Sequence, residues 1–367
     1  MARSVKKLLL AAVLALVAYG AYGLTVRAGR AIRAAPVAGE VRGAYHVHTT
    51  RSDGRGTLDE VVRAAKRAGL QFVVVTDHNL LTPEEQGYRD GVLVVQATEA
   101  STRYGHVVAL GVPRALTPEE REGDPFAAVQ ALGGVAVLAH PFHPRRPFTG
   151  WGRGPWRGFE VVSNDTAWYT VVHERAIGKA ALAALELPWD SARAVLTLQD
   201  SPADELRRFD EELRGAAAPA DGTPAKVLLC SADAHGYPSY RAAFEAFSMH
   251  LPLTLSGDAA ADARGVVAAL ATGKGACVYD GVAPGRLVRF GRGREAGTLE
   301  VGPPELLHEA STVLLRDGAP VPHAIAAGPN PALAALRCEG GCPAGTYRLE
   351  LRRGGRPWIF TNPVRIE

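Results

Sequence analysis

At 367 residues the chain is too long for one small core and long enough for two domains behind a leader. With 47% hydrophobic and 22% charged residues it has the composition of an ordinary globular protein, so extensive disorder is excluded. A formal charge of only +3, with no long Lys/Arg block beyond the N-terminal region, excludes nucleic-acid binding through a basic face.

The first element is apolar. Arg3, Lys6 and Lys7 precede Leu8 to Val26, about nineteen residues without a charge, enough to cross a bilayer as a helix and longer than a signal-peptide core. No small-x-small cleavage site closes the run, and Arg27, Arg30 and Arg33 follow it. The reading is an uncleaved signal anchor, with secretion after cleavage as the alternative. Basic residues at both ends give the positive-inside rule a weak vote, and the usual export route favours a periplasmic or extracellular body. Residues 1–40 then form the anchor and a linker ending in Ala34 to Glu40.

The second element is a strand reading Y-H-V-H-T-T-R-S-D-G from Tyr45 to Gly54. Side chains alternate along a strand, so His46 and His48 share a side, and Asp53 follows in a Ser-Asp-Gly turn. Leu58 to Gly69 carries a helical stripe at Leu58, Val61, Val62, Ala65 and Ala68. Short apolar strands follow at Phe72 to Thr76, Val92 to Thr98, His106 to Gly111, Val135 to Ala139, Phe159 to Val162 and Val227 to Cys230. His78, Glu99, His140, Asp233 and His235 sit at or just beyond strand C-termini, the rim where α/β barrels place their chemistry. The segments Ala180 to Leu187 and Pro202 to Leu213 read as helices. With no immediate hairpin turns, the alternation predicts a parallel, barrel-like α/β domain over 41–283.

From residue 284 onward the texture changes to short alternating strands separated by Gly, Pro and Asp-Gly turns. They run Arg286 to Phe290, Gly297 to Val301, Ser311 to Leu315, Leu333 to Cys338, Thr346 to Leu351 and Trp358 to Phe360. A hairpin turning at Gly354 and Gly355 fits a small Ig-like β-sandwich over 284–367. Of the four cysteines, Cys230 and Cys277 lie in apolar runs and read as small buried hydrophobes. Cys338 and Cys342 bracket a turn, where either a local disulfide or two reduced thiols fit.

The candidate metal ligands are His46, His48, Asp53, His78, Glu99, His106, His140, Asp233 and His235. A single histidine at a strand end is more often just a satisfied polar residue, and Asp53 or Asp233 alone suits a turn or cap. Six imidazoles and three carboxylates together exceed the needs of one ion and suit two or three of Zn²⁺, Mn²⁺ or Fe²⁺. They do not suit Ca²⁺ or a thiolate site.

In this order, H-x-H-x-x-x-x-D-G, T-D-H, a strand-borne Glu followed by G-H, H-P and D-x-H resemble the polymerase-and-histidinol-phosphatase (PHP) superfamily. The resemblance implies a distorted (β/α)7 TIM-like barrel with a trinuclear metal centre. In the family's pattern, His46, His48, Glu99 and Asp233 bind one ion, and Asp53, His78 and His235 a second. Glu99 then bridges to a third ion held by His106 and His140. The N-terminal anchor, the run S-Y-R-A-A-F-E-A-F and the terminal W-I-F-T-N-P-V-R-I are similar to the CehA/McbA branch of metallohydrolases.

What this implies is hydrolysis of a phosphate mono- or diester by water activated between ions, with Glu99 and Asp233 in catalytic roles. Arg51 beside Asp53 either approaches a substrate oxygen or is a solvated loop charge. Asp77 is expected to orient an imidazole rather than to ligate. His143 and the glycine- and aromatic-rich loop from Arg145 to Trp156 are expected to form one wall of the mouth; His143, Trp151, Trp156 and Asn164 are candidate pocket residues, the tryptophans either stacking on a ligand or packing on the barrel. A carbamate, ester or amide hydrolase using the same site is the alternative reading, and a catalytically silent anchored binding protein is a third. The expected partners are a small phosphorylated, carbamate or ester substrate and, through the N-terminal helix, a membrane. No nucleic-acid polymer is expected, and the sequence leaves the oligomeric state open.

Overall fold

The computed structural model describes residues 2–30, 37–217, 219, 223–295, 297–328 and 330–367. Arg33 and the linker positions 34–36 lie outside the described residues. Helix α1 (Ala2–Ala28) carries the apolar run, long and apolar enough over Ser4–Ala28 to cross a membrane, with a mean hydropathy of 2.0.

Strand β1 (Val41–Val47) is followed by α2 (Leu58–Ala68) and β2 (Phe72–Val75). The expected stripe of α2 is the buried one. Thr57 caps its start by a reciprocal bond with Glu60, and Gly69, at φ 67°, ends it in the left-handed conformation. Next come β3 (Gly87–Arg89), β4 (Val92–Gln96), β5 (Thr98–Thr102) and β6 (Gly105–Leu110). Helices α3 (Pro118–Glu122) and α4 (Pro125–Ala131) lead to β7 (Val135–Leu138) and β8 (Gly158–Ser163). Four helices follow: α5 (Asn164–His173), α6 (Ile177–Glu186), α7 (Ser191–Leu198) and α8 (Ala203–Gly215). The segment closes with β9 (Val227–Ser231), α9 (Tyr240–Ala246), β10 (Ser248–Leu251), α10 (Ala259–Ala271) and β11 (Ala276–Val278).

Two sheets enclose the main core. One contains the order β11-β10-β1-β2-β4-β3 and the other β5-β6-β7-β8-β9. Tyr45, Phe72 and Leu93 of the first meet Val107, Leu138, Phe159 and Leu229 of the second in one buried cluster. The pairs β1/β2, β2/β4, β7/β8 and β8/β9 are parallel, as the alternating pattern predicts. The pairs β3/β4, β5/β6 and β6/β7 are antiparallel. The expected single strand Val92 to Thr98 is therefore two, and Glu99 sits inside β5 rather than past a strand end. The chain turns at Arg103 and Tyr104 without an Asn-Gly or Asp-Gly signal. The ladder is mixed α/β and does not close into a continuous barrel among the described residues. Isolated parallel bridges, Val47 to Ala234 and His78 to Glu99, join the two sheets.

The C-terminal part comprises β12 (Arg289–Arg292), β13 (Thr298–Gly302), α11 (Pro304–His308), β14 (Ser311–Arg316), β15 (Ala319–Pro320) and β16 (His323–Ala327). It ends with β17 (Ala334–Cys338), β18 (Gly345–Arg353), β19 (Arg356–Thr361) and β20 (Val364–Ile366). Strands β12, β13, β17 and β16 form their own sheet, whereas β15, β14, β18 and β19 extend the large one by pairing β19 with β11. Hydrogen bonding thus crosses the boundary expected at 283/284. Of the two readings open at Cys338 and Cys342 the structure shows the local disulfide, and Cys230 and Cys277, expected as unpaired hydrophobes, are also bonded, linking β9 to β11. Cys230 and Cys277 are buried as expected, and the packing of β9 of one sheet against β11 of the other brings them together across a sequence separation of 47.

Candidate metal centre

All nine expected donors gather where the two sheets meet. Three of them sit in left-handed backbone: His46 at φ 67°, His140 at φ 26° and Asp233 at φ 38°. Non-glycine residues avoid that region, and packing holds them there where aim matters more than local energy. His46 lies where the β1/β2 register shifts, so the H-x-H pair is not a regular strand pair. The bulge nevertheless leaves His46 Nε2 and His48 Nε2 only 3.0 Å apart.

Glu99 is the centre of the cluster. Its Oε1 accepts from His106 Nδ1 at 2.8 Å and from His140 Nε2 at 2.9 Å. Its Oε2 lies 3.1 Å from His78 Nδ1, 3.2 Å from His48 Nε2 and 3.3 Å from His46 Nε2. The Asp233 Oδ1 stands 3.6 Å from both His46 Nε2 and His48 Nε2. Toward solvent, Asp53 spans His235 at 3.3 Å and His78 at 3.4 Å.

These donors fall into overlapping sets able to hold a cation: His48, Asp53, His78 and His235; His46, His140 and Asp233; His46, His48 and Glu99; and His78, Glu99 and His106. The residues present fit a metal. Glu99 Oε2 and His78 Nδ1 are buried and make no hydrogen bond although they are 3.1 Å apart, as expected of donors aimed at a shared point. The nitrogen and oxygen set, free of thiolate, matches a divalent transition metal.

Charge in the cluster is heavily coupled. Burial pulls His46 down, but Glu160, Glu99 and Asp233 outweigh it and hold His46 well above the usual imidazole range. Burial likewise opposes ionisation of Glu99 and Asp233, and the surrounding imidazoles, His46 foremost, keep both well below the carboxylate range. His140 and His235 are raised to about 9 against their own burial, by Asp233 and Glu99 in the first case and by Asp53 and Asp233 in the second. Burial lowers His106.

The supports come from residues outside the nine donors. Glu160, the one charged residue of β8, accepts from His46 Nδ1 at 2.6 Å and from the His140 backbone N–H at 2.8 Å. Sequence reasoning missed it; a carboxylate inside the apolar run G-F-E-V-V-S is the signal that was available. Ser163 Oγ donates to Asp233 Oδ2 at 2.9 Å. Asp77 orients a loop, not an imidazole, accepting from the Thr49 N–H at 2.8 Å, the Thr49 hydroxyl at 2.7 Å and Ser52 Oγ at 2.6 Å.

A cavity of about 590 Å³ opens over the cluster, lined by Asp53, His78, Ser101, His106, His140 and His235, with His143, Arg145, Arg146, Asp165 and Tyr169 on its outer wall. His143 Nε2 lies 3.3 Å from Asp165 Oδ2, and Arg146 reaches within 3.0 Å of His106 Nε2. Arg51 is not on this wall; its guanidinium is exposed and bonded to Glu85 at 2.6 Å. Trp151 and Trp156 pack in the core against Phe159, under the cations Arg208 and Lys226 respectively, and do not face the cavity. Asn164 is buried at the start of α5 and also does not line the cavity.

Residues 44–148 match the sequence model of the PHP domain, a stretch that encloses seven of the nine donors. An uncharacterized protein of Methanocaldococcus jannaschii is 29% identical over 92 residues, covering 23% of this chain and 52% of that protein. A phosphoribosyl 1,2-cyclic phosphate 1,2-diphosphodiesterase of Eggerthella lenta is 36% identical over 77 residues, covering 18% of this chain and 29% of that enzyme. The chain thus spans about half the length of the first relative and under a third of the second. Among solved structures, a two-domain protein of Bacteroides vulgatus containing a predicted PHP-like metal-dependent phosphoesterase aligns with a TM-score of 0.41 at 14% identity, over 91% of this chain and 98% of that one. An amidohydrolase of Chromobacterium violaceum aligns with a TM-score of 0.27 at 16% identity, over 36% of this chain and 84% of that one.

Proposed function

From the PHP domain match over residues 44–148, which holds seven of the nine donors, and from the cluster all nine form, we propose that this chain is a metal-dependent phosphoesterase acting on small phosphate mono- or diesters. The observation that carries the reading is Glu99, a fully buried carboxylate within 3.3 Å of five imidazole nitrogens, beneath a cavity walled by two arginines. The nine donors suit a trinuclear centre of Zn²⁺, Mn²⁺ or Fe²⁺. Bound there, the metals would act as Lewis acids and bring the pKa of a coordinated water toward neutrality.

The chain's own residues supply the rest. Arg145 and Arg146 stand where a phosphate entering the cavity would meet them, and cationic donors there favour an anionic substrate over a neutral carbamate. His143 Nδ1 accepts from the Arg145 N–H at 3.2 Å, which leaves the proton on Nε2, unbonded at the cavity wall near Asp165, to pass to the leaving oxygen. Glu160, Ser163 and Asp77 fix the imidazoles, the Asp233 carboxylate and the loop bearing Asp53, so that the donors are set before substrate arrives.

We place the body outside the cytoplasm, anchored by α1. Two disulfides suit an oxidising compartment, and the N-terminal run is apolar enough to span. The closer assignment to the CehA/McbA branch and the 41–283 and 284–367 division belong to the same proposal.

The test is hydrolysis of aryl phosphates, bis-aryl phosphates, aryl carbamates and esters by chelated protein reconstituted with each metal. Phosphate ester turnover restored by one or more metals, and lost in Glu99→Ala, is the expected result. Carbamate turnover with negligible phosphate hydrolysis would transfer the site to the second reading, and metal binding without any turnover would make the chain a binding protein.

A further inference from the structure

The span and the body overlap. Leu8 to Val26 would cross about 28 Å of hydrocarbon at the helical rise, close to the full apolar thickness of a bilayer. Yet the part of that run from Tyr19 to Val26 already touches the folded body. Tyr19 donates to the Leu185 carbonyl at 3.2 Å, Tyr22 to Glu186 at 3.3 Å, and Val26 is buried. Gly23 lies so close to Trp189 that an added Cβ would stand 2.0 Å from the indole. The parts of the body that make these contacts therefore lie at the depth of the lipid surface.

Those parts are unusually apolar on the outside. Ile177 is 77% exposed, and Leu182, Leu185 and Leu187 on or just after α6, with Val172 at the end of α5, are also exposed. Lys179 of α6 pairs with Asp200 and the buried Glu186 accepts from Arg193 and Thr197, while the exposed His173, Glu174 and Arg175 separate Val172 from Ile177. The contacts advance in the same order along both segments, from Tyr19 with Leu185 through Gly23 with Trp189 to Gly29 with Arg193. Of α6 itself only the C-terminal end, at Leu185 and Glu186, meets α1, whereas Trp189 lies in the connection that follows and Arg193 on α7. Tyr19, Tyr22 and Trp189 gather where an aromatic belt belongs.

We propose that the exposed face of α6, together with Val172, docks into the headgroup layer of the membrane that α1 crosses. The occupant is lipid, because the face continues the apolar surface of a helix whose own cover is hydrocarbon. This rests on reading α1 as a retained anchor. Since α5 also carries Asp165 and Tyr169 of the cavity wall, the mouth of the site then opens beside the lipid surface.

Full-length protein in phosphatidylcholine and phosphatidylglycerol vesicles tests this, with one environment-sensitive dye on a cysteine introduced by Leu16→Cys, Ile177→Cys, Leu182→Cys or Ile325→Cys. The native cysteines are paired and stay unlabelled. Lipids spin-labelled near the headgroup should quench the 177 and 182 sites roughly two-fold or more, as for residues at interfacial depth, and leave the 325 site unchanged. Lipids labelled deep in the chain should quench the 16 site. Quenching at 16 without quenching at 177 and 182 overturns the docking and leaves the anchor standing. No quenching at 16 overturns the anchor reading itself. A blue-shifted, unquenched dye at 177 that depends on protein concentration assigns the face to a second copy and overturns the lipid assignment.

Discussion

Glu160 touches two donors through different atoms, the His46 ring and the His140 backbone, and so ties β1 to the loop after β7. Replacing it by glutamine keeps the shape and removes the charge that holds His46 Nδ1. Partners of metal-ligating histidines typically change affinity by about 10- to 100-fold. Glu160→Gln is therefore expected to weaken metal binding by about that factor, read by competition against a chelating dye, with near-wild-type melting of the apo protein. An unchanged affinity would make Glu160 a packing residue. His143 calls for a different readout, because a proton donor matters most when the leaving group is poor. His143→Asn is expected to slow an alkyl phosphate by about 10²-fold or more and to slow p-nitrophenyl phosphate far less. Equal losses for both substrates would indicate that His143 only shapes the cavity wall.

Strand β10 offers a pH-dependent joint remote from the donors. His250 is buried between Glu40, at 2.6 Å, and Asp280, at 3.4 Å, and Glu40 also accepts from the Leu287 N–H at 2.8 Å. Burial alone would lower His250, but Asp280 and Glu40 raise it to about 9. The folded value lies above the unfolded one near 6.5, so the stabilisation is complete below about pH 6.5 and is lost as pH rises through about 9. Wild-type Tm should therefore fall between pH 7 and 10 by more than that of His250→Gln, measured at constant ionic strength; parallel curves would refute the joint. At this scale the legible part of the chain was its parallel strands. Apolar runs that stop at His78, His140 and Asp233 announce both a strand and a polar end, because a buried strand tolerates polar groups only where it leaves the core. The β5/β6 hairpin was not legible, since T-E-A-S-T-R-Y-G-H lacks a two-residue turn signal and its Glu99 is mid-strand. Glu160 hid for a related reason, as one carboxylate in an apolar strand says nothing of the imidazole it will meet. The Cys230–Cys277 pairing depends on the β9/β11 approach, a long-range contact that no local pattern encodes. The loop that opens at Arg145 was legible as a wall of the mouth, and Arg145 and Arg146 do line the cavity, but its tryptophans turn into the core against Phe159.

The whole molecule is held together across the boundary that composition suggests. Strand β19 completes the large sheet against β11, Asn362 bonds the Leu228 N–H and carbonyl and the Gly275 carbonyl, and Trp358 Nε1 donates to the Ala283 carbonyl at 3.0 Å. A chain ending at residue 283 would leave the β11 edge unpaired and the apolar face of Ala276 and Val278 uncovered. It is expected to lose cooperative melting and most soluble yield; a fragment with native metal content and a sharp transition would instead establish a separable domain. The Cys230–Cys277 bridge belongs to the same joint. Closing a loop with a sequence separation of 47, it removes about 4 kcal/mol of unfolded-state entropy by the chain model, against about 2 kcal/mol for the separation of 4 at Cys338–Cys342. Reduction should thus lower Tm through the first bridge chiefly, which Cys230→Ala with Cys277→Ala and Cys338→Ala with Cys342→Ala separate. The sharpest probe of the joint is Arg348. Its guanidinium makes a two-pronged pair with Asp210 of α8, both bonds 2.7 Å, and bonds Glu350 at 2.6 Å, with all three side chains buried. Removing this cation strands the buried Asp210 carboxylate, while Glu350 keeps Arg352 at 2.9 Å, and breaking such a buried pair costs about 3–5 kcal/mol. Arg348→Met should therefore destabilise the protein by about that amount in urea melts at neutral pH. Arg348→Met with Asp210→Leu and Glu350→Leu, which leaves no buried charge, should recover most of the loss. If the triple variant is no more stable than the single one, the network specifies how the C-terminal strands sit on α8, beyond neutralising charge.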